Sequence, residues 1–164
     1  MIILGIDPGT ATTGYGVIEV QGSRFTALDY GCISTKPTFS MPERLDKIHQ
    51  GLSLLIERFH PDEVAVEQLY FNTNATTAIS VGQARGVILL AAAQKKLPVG
   101  EYTPLQVKQA MVGYGRAEKK QVQYMVASFL KLSNPPKPDD AADALAIAIC
   151  HAHNQHTKKL RGEV

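Results

Sequence analysis

Asp7, Glu67, Asp140 and Asp143 stand in or beside apolar runs, where a lone charge is costly. Ile2-Ile3-Leu4-Gly5-Ile6 leads into Asp7, and Val64-Ala65-Val66 leads into Glu67. Asp140-Ala141-Ala142-Asp143 opens the run Ala144-Leu145-Ala146-Ile147-Ala148-Ile149-Cys150. Carboxylates in such surroundings are paired, neutralised or bound to a metal, because a buried unpaired charge is strongly disfavoured. Any one of these acids alone reads more simply as a helix cap or a surface pair. Four together, with no basic residue beside them in sequence, point to a divalent-cation site. Hard oxygen donors suit magnesium or manganese rather than zinc or copper. Two such ions about 4 Å apart can activate a water and stabilise the leaving oxygen in an in-line attack on a phosphodiester.

The elements that must carry these acids are legible from hydrophobic spacing. Strands are expected over residues 2–7, 14–20, 25–34, 63–67 and 97–101, with a hairpin turn at Gln21-Gly22-Ser23. Leu45, Ile48, Leu52, Leu55, Ile56 and Phe59 share one stripe and predict a helix over residues 41–59. Further helices are expected over residues 76–96, 104–112 and 118–130, with a loop from 69 to 74. A Pro-rich connector over residues 134–138 leads into a last helix starting at Asp139 or Asp140. This order describes an α/β fold, a mixed five-stranded central sheet flanked by helices. Asp7 and Glu67 then end parallel-type strands, the edge where ligand sites form in open α/β sheets. Asp140 and Asp143, three apart, share one helix face, so Asp139 is better read as a helix cap.

At 164 residues and 45% apolar composition the chain is expected to form one domain over residues 1–155, with a flexible charged tail over 156–164. The N-terminal apolar run has no basic lead and meets Asp7 too early for a secretory signal. The later run from 87 to 93 is too short to span a bilayer, so no membrane partner and a cytoplasmic location are expected. Two cysteines, Cys32 and Cys150, do not make a disulfide framework. Cys150-His151-Ala152-His153 with His156 is read as helix packing and a solvated tail rather than a zinc site. The net charge of +2 conceals an asymmetry: residues 1–81 carry nine acids and five bases (−4), and residues 82–137 carry nine bases and two acids (+7). A basic segment beside clustered acids suits phosphate contacts around a metal site.

The motifs together resemble a known family. Gly5-Ile6-Asp7-Pro8-Gly9, Val64-Ala65-Val66-Glu67-Gln68, Val81-Gly82-Gln83-Ala84-Arg85-Gly86, Gln106-Val107-Lys108-Gln109 and Asp140-Ala141-Ala142-Asp143-Ala144-Leu145-Ala146 follow one another nearly end to end. In this order and spacing they resemble the RuvC-type Holliday-junction resolvases of the RNase H-like superfamily. The resemblance implies an RNase H-like fold, a homodimer, and magnesium dependence, with manganese able to substitute and two ions per site. It also implies paired symmetric nicks across a four-way DNA junction, leaving 5′-phosphate and 3′-hydroxyl ends, and a RuvA- and RuvB-type branch-migration complex as partner. The family's catalytic acids fall on Asp7, Glu67, Asp140 and Asp143; some members have histidine at the third position, whereas this chain keeps an acid. Tyr70, beside Phe71, falls on the base-stacking aromatic, and Lys108 and Lys119 on residues that contact the DNA backbone. Arg85, Arg116 and Lys120 join them from the same basic segment. Gly82 and Gly86, four apart on a helix, permit close approach of another helix, and the resemblance favours a dimer interface there.

Two other readings are open to the sequence. Asp7-Pro8-Gly9-Thr10 resembles the phosphate loop of actin-like ATPases and sugar kinases, but those proteins need two such lobes. A non-catalytic junction-binding module would have no use for all four acids.

Overall fold

Alternation along the strands decides which residues meet. In β1 (Ile2–Asp7) it turns Ile3, Gly5 and Asp7 to one face and packs Leu4 and Ile6 on the other. The computed structural model describes residues 1–68 and 75–161. β2 (Thr12–Gln21) and β3 (Arg24–Ser34) form a long hairpin turned at Gly22, whose φ of 60° suits glycine. β4 (Glu63–Glu67) lies parallel to β1, and β5 (Val99–Tyr102) lies parallel to β4. The sheet runs β3-β2-β1-β4-β5, mixed and five-stranded as expected.

Helices cover both faces. α1 (Met41–Phe59) begins at Ser40, whose backbone N–H donates to Glu43 at 2.7 Å in a capping box, and ends at His60 with φ 45°. It buries Ile48, Leu52 and Ile56 with α2 (Ala75–Gln94) against Leu4, Ile6, Val64 and Val66. The other face holds α3 (Pro104–Val112), α4 (Lys119–Phe129) and α5 (Asp139–Arg161). α5 continues helical through Arg161, past the point where the sequence suggested a tail.

Three expectations shift. β5 starts two residues late because Lys96 turns left-handed at φ 56° and the Leu97 N–H bonds back to the Ala92 carbonyl at 3.0 Å, so residues 95–97 cap α2. β2 begins at Thr12 because its pairing with β3 continues to Ser34. α2 as a whole, unlike the short run within it, is long and apolar enough to cross a membrane by length and composition. Its Ala84, Ile88, Ala91 and Ala92 are nevertheless packed in the core, while Ile79 and Leu90 stay 65% and 52% exposed. α2 therefore offers one apolar face to the sheet and a second to the outside.

Candidate functional site

The four acids converge at one end of the sheet. Parallel pairing sets Ile6 beside Val66, so Asp7 and Glu67, next along each strand, end side by side on the α5 face. α5 reaches them because glycines of β1 and β2 leave room beneath its first turns. A Cβ on Gly14 would lie 2.1 Å from the Asp140 carbonyl oxygen, and one on Gly5 would lie 2.2 Å from that of Ala144. Ala141, Ala142, Ala144 and Ala148 complete this flat contact and are wholly buried. The first turn of α5, with Asp140 and Asp143, is thereby pressed over the end of β1. Asp139 and Asp140 also meet the positive end of the α5 dipole.

Crowding of like charge shows in the acidities. Burial, then the charges of Glu67, Asp143 and Asp140, push Asp7 up to about 8, and Lys119 only partly offsets them. Burial and Asp143 push Glu67 up to about 7 against the pull of Lys108. Asp143 is also raised, by burial first, although the hydrogen bond and charge of Lys119 oppose it. This donor set, all hard carboxylate oxygen held against its own repulsion, fits a divalent cation. Among the described residues, however, no three His, Cys, Asp or Glu side chains are gathered ready to hold an ion. Lys119 brings positive charge to the cluster: its Nζ lies 3.1 Å from Asp143 Oδ2 and 3.5 Å from Asp139 Oδ2.

The acidities carry a stability consequence. Folded Asp7 keeps its proton to about pH 8, whereas its ordinary value is 3.8, so between them the folded state binds more protons than the unfolded chain. Without divalent cation, stability is expected to fall as pH rises through that window and to level off above it. Urea unfolding in chelator across this range checks it; a flat or rising profile would show that the acids do not crowd one another.

Basic residues line the approach. A cleft of about 210 Å³ has Glu67, Asp143, Lys108 and Lys119 on its walls and Val107, Val122, Ala146 and Ile147 beneath. The larger hollow, about 670 Å³ between Phe25, Phe129 and His153, has no acidic lining residue and belongs to the far end of α5. The Thr103–Gln106 capping box starts α3 and so sets Lys108, and the Glu118–Gln121 box starts α4 at Lys119. Two cations, Lys119 and Lys120, thus occupy a helix N-terminus, where the dipole disfavours them. That misplacement is a sequence signal for phosphate or carboxylate contact. Arg116 and Lys120 are exposed beside them.

The other residues named from the sequence take the following positions. Arg85 is only 19% exposed and pairs with Glu101 of β5, which ties it to the sheet edge. Asp139 does not cap α5 with its side chain; its carboxylate accepts from Gln123 Nε2 at 3.0 Å and Lys137 Nζ at 3.2 Å. Those two hydrogen bonds, with the charge of Lys119, hold Asp139 below the usual carboxylate range. Gly86 is exposed with open space beside it, whereas Gly82 is half-buried. Tyr70 and Phe71 lie outside the described residues. Cys32 was not singled out by its sequence, yet it pairs with Gly14 and lies close enough to Asp140 to feel its charge; burial first, then Asp140, pushes its thiol up.

A mixed sheet of order β3-β2-β1-β4-β5 with its last helix laid across β1 and β2 is an RNase H-like α/β fold. A family profile described as crossover junction endodeoxyribonuclease RuvC matches residues 3–151. The protein of that name from Desulfitobacterium hafniense is 62% identical over 154 residues, covering 94% of this chain and 93% of the relative. The one from Desulforamulus reducens is 60% identical over 152 residues, 93% of each chain. The solved structure of Thermus thermophilus RuvC in complex with Holliday junction substrate superposes with a TM-score of 0.92 at 40% identity over 96% of both chains. The chain belongs to the RuvC family of crossover junction endodeoxyribonucleases.

Proposed function

We infer that this chain is an endonuclease that resolves four-way DNA junctions in recombination and repair, nicking two strands of like polarity symmetrically. The observation that carries the chemistry is the crowded acid cluster of Asp7, Glu67 and Asp143, open to a cleft lined by Lys108 and Lys119. Asp7, Glu67, Asp140 and Asp143 are the residues that would hold the metal, magnesium or manganese and two ions per site. Bound there, the metal would lower the pKa of an attacking water and stabilise the leaving oxygen, giving 5′-phosphate and 3′-hydroxyl ends. Lys108 and Lys119 neutralise the scissile strand's phosphates, and Arg116 and Lys120 extend that contact without reading sequence. Arg85, held by Glu101, supports the sheet edge more than it serves DNA. Tyr70 supplies the stacking aromatic.

Two copies are needed for paired nicks. Ile79, Gln83, Gly86 and Leu90 form one exposed stripe on α2, a surface on which a second α2 can pack closely at Gly86. Gly82 borders that stripe. The protein acts in the cytoplasm as one nuclease domain, its last helix running on through the charged residues to Arg161, and docks with a RuvA- and RuvB-type branch-migration complex.

Incubation with magnesium and synthetic four-way junctions should give symmetric paired nicks, with linear duplex and ATP left intact. Binding without any nicking would support the non-catalytic module instead. Lys119→Ala should also flatten the salt dependence of junction binding by about one unit of slope, one phosphate contact. An unchanged slope would restrict Lys119 to its pairing with Asp143 and Asp139.

A further inference from the structure

Away from the acid cluster, α5 is fastened to β4 and β5 by a chain of buried polar groups. His151 is 2% exposed, and its imidazole lies over Gly100, where a Cβ would come within 2.3 Å of Nδ1. Tyr102 Oη is 2.7 Å from His151 Nδ1, and Glu63 Oε2 is 2.5 Å from His151 Nε2. Gln155 Nε2, one turn further along α5, donates to the same Glu63 oxygen at 2.6 Å. One polarity serves these contacts, with the tautomer assigned from its partners: the tyrosine hydroxyl donates to Nδ1, and the Nε2–H donates to the carboxylate.

The path these bonds take is what matters. Glu63 opens β4 and Glu67 closes it, and both face α5 by alternation. Tyr102 is the register partner of Glu67, and its carbonyl accepts from the Gln68 N–H at 2.7 Å. The chain Glu63–His151–Tyr102 therefore grips β4 at its start by a side chain and at its end through the β5 backbone. His151 lies eight residues after Asp143, about 12 Å along the same helix. A closed circuit thus joins the strand that carries Glu67 to the helix that carries Asp140 and Asp143. Elsewhere α5 rests on β1 and β2 through glycine and alanine contacts and through Leu145, seated over Gly16, all of it apolar packing. Directional hydrogen bonds add a constraint on position that apolar packing supplies less sharply. Buried polar groups of this kind add little net stability over an apolar replacement, so their contribution is geometric.

We propose that Tyr102, His151 and Glu63 are positioning residues that fix the register of α5 on β4, and so the separation of Glu67 from Asp143 and Asp140. The inference rests on the metal-site reading above. These three side chains hydrogen-bond to one another rather than to the acids of the cluster. They act only through the placement of β4 and α5, and a misplacement of about 1 Å at a reacting site can cost about 10²-fold. Mn²⁺ titration by calorimetry, with single-turnover cleavage and junction binding measured in parallel, tests it on the full chain. Tyr102→Phe and Glu63→Ala should weaken Mn²⁺ binding about tenfold and lower the single-turnover rate similarly, with junction affinity unchanged. Glu63→Gln, which keeps an oxygen for the Nε2–H, should recover most of both. Ile48→Val, in the core across the sheet, is the control for general destabilisation and should leave Mn²⁺ affinity at the parent level.

Parent-like Mn²⁺ affinity in Tyr102→Phe and Glu63→Ala overturns the proposal, as does equal weakening in Ile48→Val. If Tyr102→Phe does not fold, the contrast between Glu63→Ala and Glu63→Gln makes the same decision. A parent protein whose Mn²⁺ binding is absent, or survives Asp7→Asn, overturns the metal-site reading itself and this inference with it.

Discussion

Asp7→Asn is expected to yield a protein that holds a four-way junction and does not cut it. Asparagine keeps the shape and one oxygen of the side chain but carries no charge, so the change removes a proposed metal ligand without opening a void. Asp7 is the most crowded acid of the cluster, raised to about 8 by burial and by three neighbouring carboxylates. Such a group is unfavourable as an anion unless a cation offsets it. Its removal should lower the single-turnover rate by roughly 10³-fold, the scale on which losing a preorganised charge-stabilising group acts. Junction affinity without divalent cation should hold or rise, because one negative charge has left a site whose cleft is lined by Lys108 and Lys119. The same variant should be more stable than the parent at pH 8 in chelator, since it no longer repels Glu67 and Asp143. Loss of activity with gain of stability is the signature of a ligand held under strain. Normal nicking by Asp7→Asn would sink the site assignment.

Much of the scaffold was legible in the sequence because it depends on local pattern. The apolar stripe from Leu45 to Phe59 and the punctuation by Ser40 and His60-Pro61 give α1 its bounds, Met41–Phe59. β4 and α3 follow for similar reasons, a run of β-formers in one and a Thr-Pro start in the other. The convergence of Asp7 and Glu67 was also readable, from two strand ends and a period of two. What could not be read was partnership. A sequence shows Lys119, Asp139 and Asp143 as charges, and only the packing of α4 on α5 shows that they meet. Arg85 looks like a free cation in a basic segment, and only the placement of β5 shows that Glu101 pairs with it. Cys32 enters the neighbourhood solely because the hairpin register sets it opposite Gly14. The buried Tyr102–His151–Glu63 chain joins residues up to 88 apart, beyond any local pattern.

Gly14→Ala is expected to spoil the site from beneath. Gly14 pairs directly with Asp7 across β1 and β2, so it lies under the cluster rather than beside it. An added Cβ would meet the Asp140 carbonyl oxygen at 2.1 Å and its carbon at 2.5 Å. Both are backbone atoms, so no rotamer change relieves the overlap; the first turn of α5 must lift or β2 must bow. Overpacking of this size costs about 1–3 kcal/mol, which a domain with two well-filled faces can survive. The larger effect falls on function, because a shift near 1 Å moves Asp140 and Asp143 away from Asp7 and can cost about 10²-fold in rate. Gly22→Ala provides the contrast. It has open space around it but a φ of 60°, so it should lose about 1 kcal/mol and cut at the parent rate. Thermal unfolding, Mn²⁺ titration and cleavage of both variants separate strain in a distant turn from displacement of the acids. Equal loss of cleavage in the two would mean that stability alone limits the activity; a normal rate in Gly14→Ala would mean that α5 does not position the acids.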